Sequence, residues 1–394
     1  MTSEALGALI GAYEPGPGGL RALLPLAGAT LMEQQARRAA AAGAERIVLL
    51  VDEVPAELSA ALVRLRAEGL AATFAQGIDI AADMLAGMRV LLLADGCLVE
   101  PPLLRALSDR SVPAVATVAD GPDRERYERI DADERWAGAA LIDGHRVAET
   151  AAMLGSWDPV STLLRRAVQE GAERVVADAD PPLLLVDRAS VSAAETAIVA
   201  AARRHARDWP DRFLFAPLEE WSLPLLLAKR VQALPVTMAS ALLAWAGAGA
   251  AWLAWPWAAL LLVLLSGPVA AAAARLSRVQ ARQSRWAVPL ARMRVAGAVL
   301  GLAGLANMLA ASSGQWGWWL LGGLTAATML LLQDLRRRSA SGDGNWVASV
   351  DALAWMLLPF ALVGRWDLGV AAAAAYSTLS FAGLYRTVFG ARED

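Results

Sequence analysis

The sequence predicts two domains of different fold class, a doubly wound α/β domain over residues 1–210 and an all-α domain of six transmembrane helices over 235–394. Two observations lead to this prediction. Residues 1–230 alternate charged and apolar segments, whereas 231–394 consist largely of long apolar runs. In the first part, apolar runs of strand length alternate with amphipathic runs of helical spacing, which is typical of a sheet covered by helices.

The predicted sheet is built from short apolar runs that are continuous enough to be buried on both faces. They are 6–11, 46–51, 89–94, 113–118, 137–142 and 182–186. The segments between them with amphipathic helical spacing are 30–44, 56–69, 161–171 and 192–206. Because a doubly wound sheet binds ligands beyond the carboxyl ends of its strands, those ends are the first place to look for a site.

Six apolar runs in the second part approach the roughly 20 residues that a helix needs to cross a bilayer. They are 235–254, 257–274, 288–311, 316–333, 346–364 and 367–386. Arginine is concentrated after the second and fourth runs, at positions 275, 278, 282, 285, 292, 294 and 336–338. Since positive charge stays on the cytoplasmic side, both termini are predicted to be cytoplasmic. Tryptophans mark the opposite interface, at 255, 257, 316, 318, 319 and 366.

The segment 211–234 joins the two domains and mixes apolar residues with charged ones. It predicts an amphipathic helix on the cytoplasmic membrane surface, with a plain linker as the alternative. The first residues have no basic region ahead of an apolar stretch, so we expect no signal peptide and a cytoplasmic first domain. Basic charge is almost all arginine, with Lys229 the single lysine, which is typical of a GC-rich genome. We therefore expect the inner membrane of a bacterium.

Composition argues against several functions. The net charge is −3 and the first domain has no basic block, so nucleic-acid binding has little support. The single cysteine, Cys97, excludes an internal disulfide and a cysteine-rich zinc site. Only two histidines are present, His145 and His205, which makes histidine-based metal or triad chemistry improbable.

Two aspartates and a glycine-rich segment follow predicted strands. Asp95 comes directly after 89–94, and Asp187 directly after 182–186. A carboxylate at a strand end could hold Mg²⁺ against nucleotide phosphates, but it could equally begin a turn, and spacing alone favours the turn. The segment after the first strand, "AYEPGPGG" (12–19), is rich in glycine but lacks a phosphate-loop pattern.

Three segments of the first domain resemble sugar-phosphate nucleotidyltransferases, whose fold is Rossmann-like. "LRALLPLAGATLMEQQARRAAAAGAERIVLLV" (20–51) is similar to the segment with the family's "KPL" motif and the helix and strand after it. "LLLADGCLVEPPLLRAL" (91–107) is similar to the metal-binding strand in its inositol-phosphate cytidylyltransferase form. "LLLVDRASVSAAETA" (183–197) is similar to the segment with the second metal-binding aspartate. The resemblance implies Asp95 and Asp187 as Mg²⁺ ligands and CTP or another nucleotide as ligand.

The whole chain resembles the bifunctional version of that family. There, the cytidylyltransferase is fused to a CDP-alcohol phosphatidyltransferase, which consists of an amphipathic helix followed by six membrane helices. "ALPVTMASAL" (233–242) falls where that family has "TPNxVT". The resemblance implies a place in phospholipid biosynthesis and membrane lipids as partners.

The transferase motif of that family, D-x2-D-G-x2-A-R-x8-G-x3-D-x3-D, has lost its carboxylates here. Alignment of its A-R pair on Ala274 and Arg275 puts Gly267 and Ala270 at the first two aspartates and Ala271 at the glycine. The last two aspartates fall on Val288 and Arg292 or, in a second register, on Ala291 and Val295. Neither register supplies a carboxylate, and the metals of that family depend on carboxylate oxygen.

No aspartate or glutamate occurs anywhere from Trp221 to Gln333. Asp351, near the start of the fifth run, is the acid that could reach a membrane site, and pairing with a neighbouring arginine is its favoured interpretation. The arginines after the second run remain candidates for binding a lipid phosphate, or serve only to set topology. These candidates are Arg275, Arg278, Arg282 and Arg285.

The nucleotidyltransferase motifs are altered less completely. Arg21 stands where the family has the lysine of "KPL", and the two side chains are not interchangeable. The family's "G-x-G-x-R" loop is replaced, although Gly16, Gly18 and Gly19 leave some capacity to bind an anion through backbone N–H groups. Weak nucleotide binding is therefore expected, and efficient nucleotidyl transfer is not.

These observations support three hypotheses. The first is a membrane pseudoenzyme that binds a nucleotide or lipid headgroup, or that works as a homodimer or with an active relative. The second is an active cytidylyltransferase that moves CMP to an inositol or sugar phosphate. The third, an intact phosphatidyltransferase, is disfavoured by the missing carboxylates. Glycine- and alanine-rich runs such as "AGAGAAW" (246–252) suit close helix contacts and a homodimer.

Overall fold

The structure is a computed structural model that describes residues 5–155, 157–179, 181–203, 206, 208–282, 284–338 and 346–390. The chain divides into two compact units. The first consists of Met1–Ala201 together with Val279–Arg282, and the second of Ala202–Arg278 together with Gln283–Asp394. His205 lies outside the described residues, as does part of the predicted segment 192–206.

Strands occur in the first unit. In the described part of the chain they are β1 (Leu6–Gly11), β2 (Pro15–Gly16), β3 (Gly19–Leu20), β4 (Pro25–Leu26), β5 (Ala29–Thr30), β6 (Arg46–Leu50), β7 (Ala72–Ala75), β8 (Arg89–Leu93), β9 (Cys97–Leu98), β10 (Ala114–Ala119), β11 (Glu134–Asp143), β12 (Glu173–Val176) and β13 (Leu183–Leu184).

Seven of these strands form one mixed sheet in the order β12-β10-β11-β8-β1-β6-β7. Pairing is parallel between β1 and both of its neighbours, between β6 and β7, and between β10 and β12. The exception is β11, which pairs antiparallel with both β8 and β10. The expected α/β sheet is therefore present, and β11 makes it mixed rather than purely parallel.

The central strands are apolar because both of their faces are covered. Every residue of β1 is buried. Alternate residues of that strand belong to different clusters, with Ala8 and Ile10 in one core and Leu9 in the other. Leu91 and Leu92 of β8 divide between the two cores in the same way. A strand buried on both faces needs a continuous apolar run, which is why these strands were predictable from sequence.

Helices of the first unit flank the sheet. They are α1 (Leu31–Ala41), α2 (Ala56–Ala67), α3 (Ile78–Leu85), α4 (Pro101–Ser108), α5 (Gly144–Ala151), α6 (Pro159–Gln169) and α7 (Arg188–Ala201). The start of α1 is fixed by a capping box, in which Thr30 Oγ1 accepts from the Glu33 N–H and the Glu33 carboxylate accepts from the Thr30 N–H. The four predicted helices are confirmed as α1, α2, α6 and α7, with ends shifted by a few residues. The sequence analysis missed α3, α4 and α5.

The second unit is all-helical in its described residues. A π-helical turn over Asp211–Phe215 leads into α8 (Ala216–Ala228). The helices that follow are α9 (Ala233–Trp252), α10 (Pro256–Val279), α11 (Ala287–Ser313), α12 (Gly317–Arg338), α13 (Val350–Leu362) and α14 (Trp366–Gly390). Each of the six predicted apolar runs is therefore helical.

Four helices of the described part are long and apolar enough to cross a membrane: α9, α10, α11 and the segment Trp366–Phe389 of α14. The expected six spans are not confirmed. In α13 the helix has 13 residues, which is short for a bilayer crossing. In α12 the first turns contain Trp318 and Trp319 and the last turns contain Asp334 and Arg336, so the apolar part of the helix is short.

Glycines let α9 and α11 approach closely within the second unit. A Cβ on Gly297 would lie 3.0 Å from the backbone nitrogen of Trp245, and one on Gly304 would lie 2.8 Å from the Cβ of Ala251. Close packing of small residues was expected from the sequence as a possible dimer contact. At Gly297 and Gly304, the small residues allow close packing between two helices of the same chain.

Candidate functional site

A cavity of about 120 Å³ lies in the first unit, near the carboxyl ends of β1 and β8. This is the edge of the sheet where a doubly wound fold places its ligands. Its lining is polar and aromatic: Tyr13, Glu14, Arg21, Ala94, Asp95, Cys97, Arg126, Tyr127, Glu128, Trp136, Gly138, Asp158, Val160, Ser161 and Leu184.

Asp95 is the deepest acid of this cavity, with 5% of its surface exposed. The Glu14 N–H donates to Asp95 Oδ2 at 2.7 Å, whereas Asp95 Oδ1 has no hydrogen-bond partner among the described residues. Burial raises the pKa of Asp95 to about 7, against the opposing effect of the Glu14 N–H bond. A Cβ at Gly11 would lie 3.2 Å from the Asp95 backbone nitrogen, so glycine at that position lets the two chain segments approach.

Arg21 also lines the cavity, and its charge is already matched. Its Nη1 lies 2.5 Å from Glu14 Oε2. The pair is partly solvated, because the two side chains are 25% and 40% exposed. The residue at the "KPL" lysine position is thus paired with a carboxylate of the same loop.

The three candidate glycines form the turn of the small hairpin β2–β3. Gly18 and Gly19 have φ of +90° and +141°, a region that favours glycine, and open space surrounds the position of a Cβ. Gly16 pairs with Gly19 across the hairpin. None of the three lines the cavity. Hairpin geometry therefore explains why glycine is needed here.

Asp187 does not line the cavity. Its Oδ1 accepts from the Ser190 N–H at 2.7 Å, at the start of α7. This hydrogen bond lowers the pKa of Asp187. The carboxylate therefore acts as a helix cap, the second of the two readings that the sequence allowed.

That Asp95 and Asp187 hold one Mg²⁺ ion together stays a prediction, since Asp95 lines the cavity and Asp187 does not. Within the described ranges, no group of three or more His, Cys, Asp or Glu side chains is placed to hold a metal ion. Tight Mg²⁺ or Ca²⁺ binding requires several oxygen ligands around one point. Of the two metal-binding aspartates that the resemblance implies, the cavity lining contains Asp95.

Polar residues that the sequence analysis missed complete the cavity. Tyr13 Oη donates to Asp158 Oδ2 at 2.6 Å, and Asp158 Oδ1 accepts from the Ser161 N–H at 2.7 Å. Ser161 Oγ donates to Glu128 Oε2 at 2.8 Å. The "DP" pair at 158–159 is a recognisable helix-start signal, but nothing in the sequence indicates that this helix start meets Tyr13.

Cys97 lies behind Asp95 and is fully buried. Burial raises the pKa of its thiol to about 12, so the thiolate that nucleophilic chemistry requires is not populated. The Cα of Gly138 packs against this side chain, and any Cβ there would clash with Cys97 Sγ. Cys97 is a packing residue.

In the second unit, the motif positions Gly267, Ala270 and Ala271 lie on α10. Gly267 is enclosed: a Cβ would lie 2.7 Å from Asp351 Oδ1 and 2.6 Å from Phe215 Cζ. Asp351 is held by Arg294 through two parallel hydrogen bonds, Nη1 to Oδ1 and Nη2 to Oδ2, each of 2.9 Å. The expected pairing of Asp351 with an arginine is confirmed.

The four candidate lipid-binding arginines have different surroundings. Arg275 is buried, and its Nη1 lies 3.8 Å from Glu219 Oε2. Arg282, which belongs to the first unit, pairs with Glu68 of the same unit. The Arg285 guanidinium carbon lies 5.6 Å from the ring centroid of Trp286. Arg278 lies in the last turn of α10.

Comparisons with known proteins add little to this description. No model of a protein family matches the sequence, and no curated protein is significantly similar to it. One similar solved structure comes from Bacillus anthracis and is described as a glucose-1-phosphate thymidylyltransferase in complex with a sucrose. The match has a TM-score of 0.39 and 11% identity, and covers 49% of this chain and 95% of that one. Such values do not establish a shared activity.

Proposed function

We propose that the chain is a membrane-attached binding protein in which a nucleotidyltransferase-like unit and a phosphatidyltransferase-like helical unit have both lost group transfer. The observation that carries the first half of this proposal is the pairing of Glu14 with Arg21 at 2.5 Å. Nucleotidyl transfer needs a cation and metal ions to neutralise charge that develops on phosphate. Here a carboxylate of the same loop neutralises the cation.

The position of Asp187 supports the same conclusion. Its carboxylate is engaged at the start of α7, and Asp95 alone of the two motif aspartates lines the cavity. A single carboxylate with one free oxygen is a poor Mg²⁺ site. What remains is a cavity that can bind a small molecule.

For the second unit, the proposal depends on the surroundings of Gly267. Where the resemblance places a metal-binding aspartate, a side chain would meet Phe215 and the Asp351–Arg294 pair. The carboxylate of Asp351, which lies close to this position, is neutralised by a guanidinium with matched geometry. The ion pair and its packing leave no place for a metal-bound diphosphate at Gly267.

Such a protein would act at a bacterial inner membrane, with its termini in the cytoplasm and lipids around its apolar helices. It would report or deliver a bound ligand, or support an active relative in phospholipid biosynthesis, as a homodimer or as a mixed pair. The exposed apolar residues of the turn and of α8, Phe213, Leu218, Trp221 and Leu225, suit a helix at the membrane surface.

The second candidate is an active cytidylyltransferase. It is favoured by one observation, the placement of Asp95 in a cavity at the carboxyl end of β8 with an oxygen free for a ligand. For it to operate, Arg21 would have to leave Glu14, and a second metal ligand would have to come from outside the arrangement described.

The experiment that separates these candidates uses the full chain in lipid nanodiscs with CTP, Mg²⁺ and inositol phosphate or a hexose phosphate. We expect pyrophosphate release equal to that of an Asp95→Asn variant and of empty nanodiscs. Release above both controls with any acceptor would establish the cytidylyltransferase and overturn the proposal for the first unit. A parallel incubation with CDP-diacylglycerol, Mn²⁺ and an alcohol tests the second unit, where we expect no lipid product.

A further inference from the structure

The cavity of the first unit has more negative than positive groups. Its carboxylates are Glu14, Asp95, Glu128 and Asp158, whereas its cations are Arg21 and Arg126. Arg21 is matched by Glu14, and Arg126 is exposed to solvent. Charge that is solvated counts less than charge that is buried, and Asp158 is as exposed as Arg126, so the buried carboxyl group of Asp95 has the largest effect on the charge of a ligand. A free triphosphate or sugar phosphate would be repelled.

Two buried polar atoms of the lining residues have no hydrogen-bond partner in the described part of the chain, the donor Arg21 Nε and the acceptor Asp95 Oδ1. The charge of Arg21 is balanced by Glu14, so the acceptor Asp95 Oδ1 is the group that a charged ligand would meet. Asp95 is 95% buried, lines the cavity, and its Oδ1 has no hydrogen-bond partner within the described residues. A buried carboxylate oxygen without a donor is costly, and a ligand that supplies a donor or a positive charge removes that cost. A ligand with a phosphate or carboxylate would increase it.

The aromatic side chains of the lining present ring surface to the cavity. Their hydrogen-bond donors are already bound to acceptors of the protein. Tyr13 Oη donates to Asp158, and Tyr127 Oη donates to the Pro182 carbonyl. Trp136 Nε1 donates to the Ala139 carbonyl at 2.9 Å. Their polar atoms are therefore engaged, and what they offer a ligand is ring surface. Carboxylates combined with aromatic rings form the kind of site that recognises ammonium groups.

We propose that this cavity binds a small organic ammonium ion, with Asp95 Oδ1 as its counterion and Glu14 as the residue that keeps Arg21 from attracting anions instead. This inference rests on the proposed function, since it assumes a binding cavity and not a transfer site. The ligand class is an organic ammonium ion, and Glu14 is a residue that determines specificity for it.

Calorimetric titration of the full chain in nanodiscs tests the ligand class. The probes are choline and ethanolammonium, with 3,3-dimethylbutan-1-ol as the uncharged isostere of choline. We expect at least one ammonium probe to bind about tenfold or more tightly than the neutral isostere, and Asp95→Asn to lose about that factor. Asp83→Asn, an exposed change outside the cavity, is the matched control and should leave binding unchanged.

Glu14→Gln tests whether Glu14 determines specificity. It keeps the backbone N–H of residue 14, which donates a hydrogen bond to Asp95. It leaves Arg21 without its carboxylate, so we expect weaker binding of the ammonium probe and the appearance of inorganic phosphate binding. Glu57→Gln, exposed and outside the cavity, is its control. Hydrogen exchange of the β1 and β8 amides in each variant shows that the sheet is intact.

Equal binding of choline and its neutral isostere, or no binding of either ammonium probe, would overturn the inference. So would wild-type binding of phosphate that Glu14→Gln does not strengthen. These outcomes are distinguishable from failure of the proposed function, which is detected by pyrophosphate release and not by affinity for ammonium. A cavity that binds neither ammonium probe and releases no pyrophosphate contradicts only the ligand class.

Discussion

The cavity around Asp95 and the surroundings of Gly267 differ in how their carboxylates are held. In the cavity, carboxylates outnumber cations, and Asp95 Oδ1 has no hydrogen-bond partner among the residues that the structure describes. Near Gly267, the carboxylate of Asp351 is bound at both oxygens by Arg294. An unsatisfied buried group indicates a place for a ligand, whereas a matched ion pair indicates a structural contact. The comparison therefore supports the proposal of a binding cavity in the first unit and a structural contact in this part of the second.

The largest expected effect is that of breaking the Asp351–Arg294 pair. Asp351→Ala leaves a guanidinium that is 12% exposed without its counterion, which costs about 3–5 kcal/mol in stability. Thermal unfolding of the full chain in detergent measures the loss. The double variant Asp351→Ala/Arg294→Met removes both charges and should recover most of it. Loss of the exposed pair Arg365–Asp367 through Asp367→Ala is the control and should have a smaller effect.

If Asp351→Ala destabilised the chain no more than Asp367→Ala, the pair would not be structural. Asp351 would then be a free carboxylate near Gly267, and the contrast between the two units would disappear.

A second prediction concerns the pH dependence of the first unit. The pKa of Asp95 is raised from 3.8 to about 7, so folding favours its protonated form. The stability that this provides is complete below pH about 4 and is lost as the pH rises to about 7. Relative to Asp95→Asn, the wild type should lose up to about 4 kcal/mol over that interval, from about three pKa units at 1.36 kcal/mol each.

Hydrogen exchange of the β1 and β8 amides in both proteins measures this difference, since intrinsic exchange rates cancel in the comparison. Saturating choline, if it binds Asp95, should reduce the loss because it stabilises the ionised carboxylate. A difference between the two proteins that stays constant from pH 4 to pH 8 would show that Asp95 is not buried as described.

A methyl group at Gly267 tests how closely the second site is packed. In Gly267→Ala the new Cβ would meet Phe215 and Asp351 at less than 3.0 Å, and overpacking of this kind costs about 1–3 kcal/mol. Gly323→Ala on α12, where a Cβ would have open space, is the matched control and should be neutral or stabilising. Equal stability of the two variants, measured by thermal unfolding, would mean that the position is open enough for a ligand.

The smallest effect is expected for Asp187. Because its carboxylate caps α7 outside the cavity, Asp187→Ala should change the affinity for the ammonium probe less than about twofold. The same titration applied to Asp95→Asn gives the contrasting result. If Asp187→Ala lost as much affinity for the ammonium probe as Asp95→Asn, the two aspartates would belong to one binding site.

The parts of the fold that the sequence predicted are those set by local pattern. The strands β1, β6 and β8 are continuous apolar runs because both of their faces are covered, and the six long apolar runs are helices. By contrast, β7 ("ATFA") and α3 ("IDIAADML") are short and mixed in composition, so periodicity did not identify them. The antiparallel course of β11 depends on its pairing with β8 and β10, which the pattern within one strand does not reveal.

The candidate site was predictable only in part. Asp95 and Arg21 were found because each occupies a position of a resembled motif, and both line the cavity. Asp187 and the three glycines matched the same motifs and are used for a helix cap and a hairpin turn. Glu14 and Asp158 carry no motif signal, because their importance comes from the partners they meet, Arg21 and Tyr13.

The most direct test of this account is a calorimetric titration of Mg·CTP into the full-length wild type and into Glu14→Gln. If the first unit has given up nucleotide chemistry because Glu14 holds Arg21, the wild type gives no binding heat and the variant gains weak binding. Strong binding of Mg·CTP to the wild type, abolished by Asp95→Asn, would contradict it.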